Sequence, residues 1–250
     1  RFGTRELDAG WRLACQAVAR TDLALELAQW EATILADDSA FDFTPQDGLG
    51  VAIDLGTTTL AAQLLDRRTG RVLAVRTALN AQARHGADIM SRIDFAVNHG
   101  GQAVLTRLIR DQLGALVGDL AAAAPAQAEP LREVLLVGNT VMHHLFGGLD
   151  LTPLAAHPFE SAADGAQQFT SRELGWTGLG PAARVRFLPG LGSFVGSDLL
   201  AGVLATRMHE AAELTVLVDL GTNGEIVVGN RERLLCASTA AGPAFEGARI

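Results

Sequence analysis

Lysine and tyrosine are absent from the 250-residue sequence, and all 20 basic residues are arginine. The absence of lysine excludes three kinds of protein. A P-loop protein needs lysine on the nucleotide phosphates, a protein kinase needs its strand lysine, and a Schiff-base enzyme needs a lysine nucleophile. Without lysine, the groups left to hold a phosphate are backbone N–H groups, threonine hydroxyls, Mg²⁺ and any local patch of arginines.

Cysteine is scarce and the net charge is negative. Two cysteines, Cys15 and Cys236, cannot form a disulfide framework, which indicates a reducing compartment. No stretch approaches the roughly 20 apolar residues of a membrane span. The net charge of −8 gives no overall attraction to nucleic acid or anionic lipid. We therefore expect a cytoplasmic protein without a nucleic-acid or membrane partner.

The remaining composition is that of a globular protein, with 48% hydrophobic and 19% charged residues. Alternating leucines over 23–27 predict a strand. Residues 36–48 are acidic, contain Pro45 and Gly48, and show no sustained periodicity, so we interpret them as a linker. The sequence starts at Arg1 rather than at methionine, and we expect a piece of a longer chain.

The pattern after the linker predicts an α/β domain in which a three-stranded meander occurs twice. The polar segment 150–184 is predicted to be an irregular excursion. The predicted elements are strands over 50–54, 60–66 and 72–79, helices over 87–98 and 102–122, a strand over 134–137, a helix over 141–146, a strand over 185–188, a helix over 197–209, and strands over 214–219, 225–228 and 233–237.

Each meander contains an Asp-Leu-Gly-Thr turn, starting at Asp54 in the first copy and at Asp219 in the second. Glycine lets the backbone approach a ligand closely, and successive N–H groups in such a turn form an anion-binding concavity. The aspartate supplies a hard oxygen for Mg²⁺, which binds through few carboxylates plus substrate phosphates. One copy alone would be an ordinary hairpin turn. Two copies predict related lobes that clasp the phosphates of a nucleotide from opposite sides.

At these turns the sequence resembles the superfamily of acetate and sugar kinases, heat-shock chaperones and actin. The resemblance implies a ribonuclease H-like, duplicated actin-like ATPase fold, with a complete first lobe over 49–212 and a truncated second lobe over 213–250. Within the superfamily, four segments resemble the ATP-dependent reductive activators of corrinoid proteins. These segments are 80–93, 138–145, 194–198 and 240–247.

The resemblance implies roles for individual residues. Asp54 and Asp219 would hold Mg²⁺ and order the attacking water, and Asn139 would position water. The residues that would cradle ATP phosphates are Gly56, Thr57, Thr58, Gly221, Thr222, Asn223, Gly224 and Glu225.

The residue types alone leave other interpretations open. Asn139 is equally well a turn-capping residue. Glu225 and Asp198 have the positions of solvated or helix-dipole-stabilising carboxylates, and we include Glu225 among the candidates while leaving Asp198 out. His143 and His144 are adjacent on a predicted helix and do not face the same way, so we expect a packing or interface role. The pair Arg67 and Arg68 is interpreted as a solvated turn.

Residues 1–35 resemble the end of a plant-type ferredoxin domain. Cys15 would be the fourth ligand of a [2Fe-2S] cluster in the full-length protein. The upstream run of three cysteines is absent, so no cluster is expected in this chain alone. Without the resemblance, a lone cysteine is most simply a small buried apolar residue.

The function implied by the resemblance is ATP-dependent reductive activation of a corrinoid protein. An electron would pass through the [2Fe-2S] domain and convert Co(II) to Co(I), with ATP favouring one conformation over another. The partner would be the corrinoid protein of a methyltransferase system, and a homodimer is expected. The glycine-rich adenosine loop of the superfamily is missing, so this chain alone should bind nucleotide poorly.

The residues of the two turns leave three alternative functions open. A small-molecule kinase of the same fold would share both turns but need a general base for a substrate hydroxyl. An activator of 2-hydroxyacyl-CoA dehydratases would need cluster cysteines inside the ATPase domain, where Cys236 is the only cysteine. A nucleotide-responsive scaffold would need neither a general base nor cluster cysteines.

Overall fold

The computed structural model describes residues 43–125, 129–161, 163–177, 179–180, 183–221 and 223–240. The chain divides into a unit Arg1–Glu31 and a unit Ala32–Ile250, and the described residues belong to the second. Several predictions fall outside the described residues, namely the strand over 23–27, Cys15, Thr222 and the segment 241–247. Among the residues that are described, no helix has the length and apolar character needed to cross a membrane.

A six-stranded sheet forms the centre of the structure, in the order β3-β2-β1-β4-β6-β5. Its strands are β1 (Leu49–Leu55), β2 (Thr59–Asp66), β3 (Val72–Leu79), β4 (Leu131–Gly138), β5 (Gln167–Thr170) and β6 (Arg184–Phe187). β1 pairs antiparallel with β2 but parallel with β4, and Leu55 lies opposite Gly138. The carboxyl ends of β1 and β4 therefore meet at one edge of the sheet.

Five α-helices accompany the strands within the described residues: α1 (Ile89–Asn98), α2 (Gln102–Ala122), α3 (Thr140–Gly147), α4 (Thr152–Ala155) and α5 (Ser197–Thr206). Two short 3-10 helices cover Ala81–His85 and Met208–Glu210. α1 starts two residues later than predicted because Asp88 forms a capping box with Ser91.

The long helix α2 closes one face of the sheet. Its buried residues recur every three or four positions, as a helix with one apolar face requires. They are Leu105, Ile109, Leu113, Leu116, Val117 and Leu120. The structure confirms the helix predicted over 102–122, and its buried residues extend from its first turn to its last.

The segment 150–184 is more ordered than the sequence predicts. It contains the one-turn helix α4 and the strand β5, which pairs antiparallel with β6 at the edge of the sheet. Both elements have four residues. Such short elements carry too few side chains for a periodic pattern to be recognised.

A second sheet consists of three antiparallel strands, β7 (Thr215–Leu220), β8 (Asn223–Gly229) and β9 (Leu234–Ala240). The face carrying Leu217 and Val227 packs against α5 through a small cluster that includes Leu199 and Val203. The opposite face leaves large apolar side chains exposed, namely those of Val216, Val218, Leu220, Ile226 and Leu235. The three antiparallel strands β7, β8 and β9 confirm the second copy of the meander that the sequence predicts.

Candidate functional site

The first Asp-Leu-Gly-Thr turn connects β1 to β2 at the sheet edge where β4 also ends. The N–H of Gly56 donates to the carbonyl oxygen of Thr59 at 3.1 Å and closes the turn. A Cβ at position 56 would lie 2.5 Å from that same oxygen, so only glycine fits here. Asp54, one residue before the end of β1, is exposed and lies between Ala61 of β2 and Val137 of β4.

Asn139 joins the end of β4 to this turn. Its Oδ1 accepts a hydrogen bond from the N–H of Met142 at 3.1 Å and caps α3, while its Nδ2 donates to the Thr57 hydroxyl oxygen at 2.9 Å. Both side chains are buried. Because the Thr57 oxygen accepts this bond, its own proton is left to donate to another group. Asn139 is thus a capping residue that also holds Thr57, and its predicted role in positioning water stays a prediction.

The second turn connects β7 to β8. Asp219 lies opposite Glu225 in the strand register, so the two carboxylates share one face of the sheet. Since side chains alternate along a strand, this is also the face of Leu217 that packs against α5. The N–H of Gly221 donates to the carbonyl oxygen of Asn223 at 3.0 Å.

Within the same sheet, Glu225 accepts a hydrogen bond from the Ser238 hydroxyl at 3.0 Å. Gly224 precedes it in β8 and is buried, whereas Asn223 is half-buried. Thr222 lies outside the described residues.

α5 connects the two regions. Gly196, just before the helix, packs so closely on the β4–α3 junction that a Cβ there would overlap the carbonyl oxygen of Gly138. The Ser197 hydroxyl accepts a hydrogen bond from the Gly138 N–H at 3.2 Å. Further along the helix, a Cβ at Gly202 would lie 3.2 Å from the Leu217 side chain of β7. The first turn of α5 is therefore fixed next to the end of β4, and its later turns support the second sheet.

Asp198, in this first turn of α5, is a candidate that the sequence interpretation missed. Burial raises its pKa to about 6, the hydrogen bond from the Leu199 N–H opposes the rise, and the charge of Asp219 adds to it. Asp198 lies in the first turn of α5, as a helix-dipole-stabilising carboxylate would, but it is half-buried rather than fully solvated. No local signal identifies it, because its desolvation depends on the packing of α5 between two sheets. A carboxyl group with a pKa near neutrality is suited to accept or release a proton.

The two adjacent histidines have the packing role that the sequence predicts. The His143 ring lies edge-on to Phe187, with centroids 4.9 Å apart, and its burial lowers its pKa to about 4. His144 contacts the carbonyl oxygen of Thr140 at 2.8 Å through Nδ1 and the Ser161 hydroxyl at 3.0 Å through Nε2. Both imidazoles are buried and serve the interior of the first lobe.

The interpretation of the arginine pair holds for one member only. The Arg68 side chain is 61% exposed, whereas that of Arg67 is 17% exposed and forms an ion pair with Glu133 of β4 at 3.3 Å. Arg67 is therefore not simply solvated, because the tertiary structure brings the β2–β3 turn against the start of β4.

A magnesium ion would have to be held by few protein ligands. Across the part of the chain that the structure describes, no group of three or more histidine, cysteine, aspartate and glutamate side chains could hold a metal ion. Mg²⁺ does not need such a group, since it is usually bound by one or two carboxylates together with phosphates and water. The exposed carboxylate of Asp54 beside the first turn has this chemistry.

A ribonuclease H-like sheet is followed by a second meander, in which the first two strands flank the same Asp-Leu-Gly-Thr sequence. This arrangement defines the actin-like fold of the acetate and sugar kinase, heat-shock chaperone and actin class. The sequence profile of the RACo middle region matches residues 49–211, and that of the C-terminal ASKHA domain of RACo matches residues 213–250. This chain belongs to the RACo family, and the resemblance of residues 49–250 to the reductive activators of corrinoid proteins is confirmed.

Named relatives agree with this assignment. The corrinoid activation enzyme RamQ of Eubacterium limosum is 32% identical over 224 residues, covering 87% of this chain and 37% of that protein. The Co(II) methylated amine-specific corrinoid protein reductase of Methanosarcina barkeri is 26% identical over 212 residues, covering 80% and 38%. The structure of a reductive activator for corrinoid, iron-sulfur protein matches with a TM-score of 0.74 and 33% identity, covering 83% of this chain and 33% of that chain. The chain thus spans well under half the length of these relatives.

Proposed function

We propose that this chain is the phosphate-clasping part of a protein that uses ATP to activate a corrinoid protein by reducing Co(II) to Co(I). The observation that carries the proposal is the first turn, which Asn139 holds through the buried Thr57 hydroxyl at an edge of the first sheet. The names of the relatives support the corrinoid protein as partner. The partner would belong to a methyltransferase system, and the active protein would be a homodimer.

Each lobe contributes one turn to the proposed site. Backbone N–H groups and hydroxyls of Gly56, Thr57 and Thr58 would bind phosphate oxygens from one side. The residues that would bind them from the other side are Gly221, Thr222, Asn223 and Gly224, with Glu225 next to them. Asp54 and Asp219 would hold Mg²⁺, which would offset the phosphate charge and favour attack by water. Asp198, the first-turn residue of α5 whose pKa burial raises to about 6, would accept a proton from that water.

ATP would act by binding one arrangement of the lobes more tightly than another, since a ligand shifts a conformational equilibrium only by its differential affinity. The electron would reach the cobalt through a [2Fe-2S] cluster in the full-length protein. Cys15, the predicted fourth ligand of that cluster, lies outside the described residues.

The test uses the full-length protein with its cluster, a reductant and a corrinoid protein in the Co(II) state. The Co(II) spectroscopic signal should disappear on addition of ATP and Mg²⁺. Asp54→Asn should abolish this effect, whereas Asp47→Asn makes the same chemical change at a side chain that is 75% exposed and should preserve it. An unchanged cobalt state in the presence of ATP and reductant would overturn the proposal. A phosphorylated product from a panel of sugars and acids would replace it with a small-molecule kinase.

A further inference from the structure

Three consecutive backbone carbonyls of the first turn are bound by one segment, residues 80–92. The Asn80 side-chain amide donates to the Gly56 carbonyl oxygen at 2.9 Å, and the Asn80 N–H donates to that of Thr58 at 2.8 Å. Between them, Nη2 of Arg92 donates to the Thr57 carbonyl oxygen at 2.6 Å. The carbonyl groups of Gly56, Thr57 and Thr58 are therefore fixed one after another by hydrogen bonds from the 80–92 segment.

The two side chains that make these contacts are themselves immobilised. Asn80 is 1% and Arg92 is 0% exposed. Arg92 also donates to the carbonyl oxygen of Gly86 at 2.9 Å and to the side-chain oxygen of Gln82 at 3.2 Å. The Gln82 amide in turn donates to the carbonyl oxygen of Leu105 in α2 at 3.0 Å. The support of the turn thus extends into the core of the lobe.

This arrangement determines which backbone groups the turn presents to a ligand. In a planar trans peptide, the C=O and N–H bonds point in opposite directions. Because the carbonyls of Gly56 and Thr57 point towards Asn80 and Arg92, the N–H groups of Thr57 and Thr58 point away from the 80–92 segment. Successive N–H groups aimed to one side form an anion-binding concavity.

We infer that Asn80 and Arg92 are positioning residues that hold the first turn in its phosphate-binding conformation. The inference rests on the proposed function, since it assigns the phosphates of ATP as the bound anion. Arginine suits this position because its planar, five-donor guanidinium reaches three acceptors at once, which the ammonium group of lysine cannot do in the same geometry. Neither residue needs to touch the nucleotide.

The experiment compares affinities for ATP and for adenosine in the full-length protein. Arg92→Lys keeps the charge but loses the fork geometry, and it should weaken ATP binding about tenfold while changing adenosine binding by less than about twofold. Arg84→Lys is the matched control. Arg84 lies on the 3-10 helix Ala81–His85, is exposed, and hydrogen-bonds the carbonyl oxygen of Ala81. This control should bind both ligands as the unmodified protein does.

Unchanged ATP affinity of a folded Arg92→Lys protein would overturn the inference. A parallel loss for ATP and adenosine would also overturn it, because it would indicate a general structural role. Should the unmodified protein bind no ATP, the proposed function itself fails, and the two failures are thereby distinguished. Hydrogen exchange of the unmodified protein gives a test that does not depend on a variant folding: ATP should slow exchange at the amides of Thr57 and Thr58, and unaltered exchange there would contradict the inference.

Discussion

The side chain of Asn139 donates a hydrogen bond of 2.9 Å to the hydroxyl of Thr57, which links the ends of two neighbouring parallel strands. Leu55 and Gly138, the last residues of those strands, lie opposite each other. The pairing of β1 with β4 therefore places a turn and a helix cap, far apart in the sequence, in one site. The contact also leaves the Thr57 proton available to a phosphate oxygen.

Replacing Thr57 tests this contact directly. Thr57→Val is nearly isosteric but removes the acceptor, so the buried Asn139 amide loses one partner and the free energy of unfolding should fall by about 1 to 3 kcal/mol. Thr57→Ser keeps the hydroxyl and should cost less. Urea unfolding of both variants gives the comparison, and equal stabilities would show that the hydroxyl contact contributes little.

Asp198 should make stability depend on pH. Its pKa rises from 3.8 to about 6 on folding, so the folded state binds the proton more tightly than the unfolded state. The contribution of Asp198 to the free energy of unfolding is therefore fully present below about pH 4, and it is lost as the pH rises through about 6. Asp198→Asn should raise the free energy of unfolding by about 1 to 3 kcal/mol at pH 8 and leave it nearly unchanged at pH 4.

The same variant separates stability from function. If the ionised Asp198 accepts a proton during ATP hydrolysis, Asp198→Asn should be more stable at pH 8 but much less active. ATPase activity of the full-length protein should also decrease as the pH falls through about 6. A variant with full activity and an unaltered pH profile would remove Asp198 from the proposed site.

His143 should have the opposite influence on stability. Its pKa falls from 6.5 to about 4 on folding, so the unfolded state binds the proton more tightly. Stability from this group is present above pH 6.5 and is lost as the pH falls towards 4, by about 2 kcal/mol between pH 7 and pH 5. His143→Gln should remove that part of the pH dependence. His99→Gln, at an exposed side chain, should leave it in place.

Two glycines offer a matched test of the α5 junction. A Cβ at Gly196 would overlap the backbone of Gly138 and Asn139. Gly196→Ala should therefore lower the free energy of unfolding by about 1 to 3 kcal/mol. Gly118, inside α2, has open space around it, and Gly118→Ala should stabilise by about 0.5 to 1 kcal/mol. Thermal unfolding of the two variants checks the contrast. An unchanged melting temperature of Gly196→Ala would mean that α5 can move away from β4.

Most long elements could be predicted because their apolar residues repeat over many positions, as in α2 and the two meanders. The segment 150–184 is less predictable, since α4 and β5 each have four residues and gain their order from tertiary contacts, α4 with α1 and β5 with β6. Among site residues, the two turns were visible in the sequence. Asp198 was not, because nothing local distinguishes it from a solvated acid at a helix start.

The sequence by itself determined which chemical groups the predicted phosphate site offers. With no lysine and two Asp-Leu-Gly-Thr turns, backbone N–H groups, hydroxyls and carboxylates are what the predicted site offers, and local residue patterns are enough to show this. Only the tertiary structure decided which contacts hold the first turn and which burial raises the pKa of Asp198. Arg92 reaches the carbonyl of Thr57, and the packing of α5 against the two sheets buries Asp198, through contacts between segments distant in the chain. Burial and hydrogen bonding of this kind arise only once the sheet and its helices have packed.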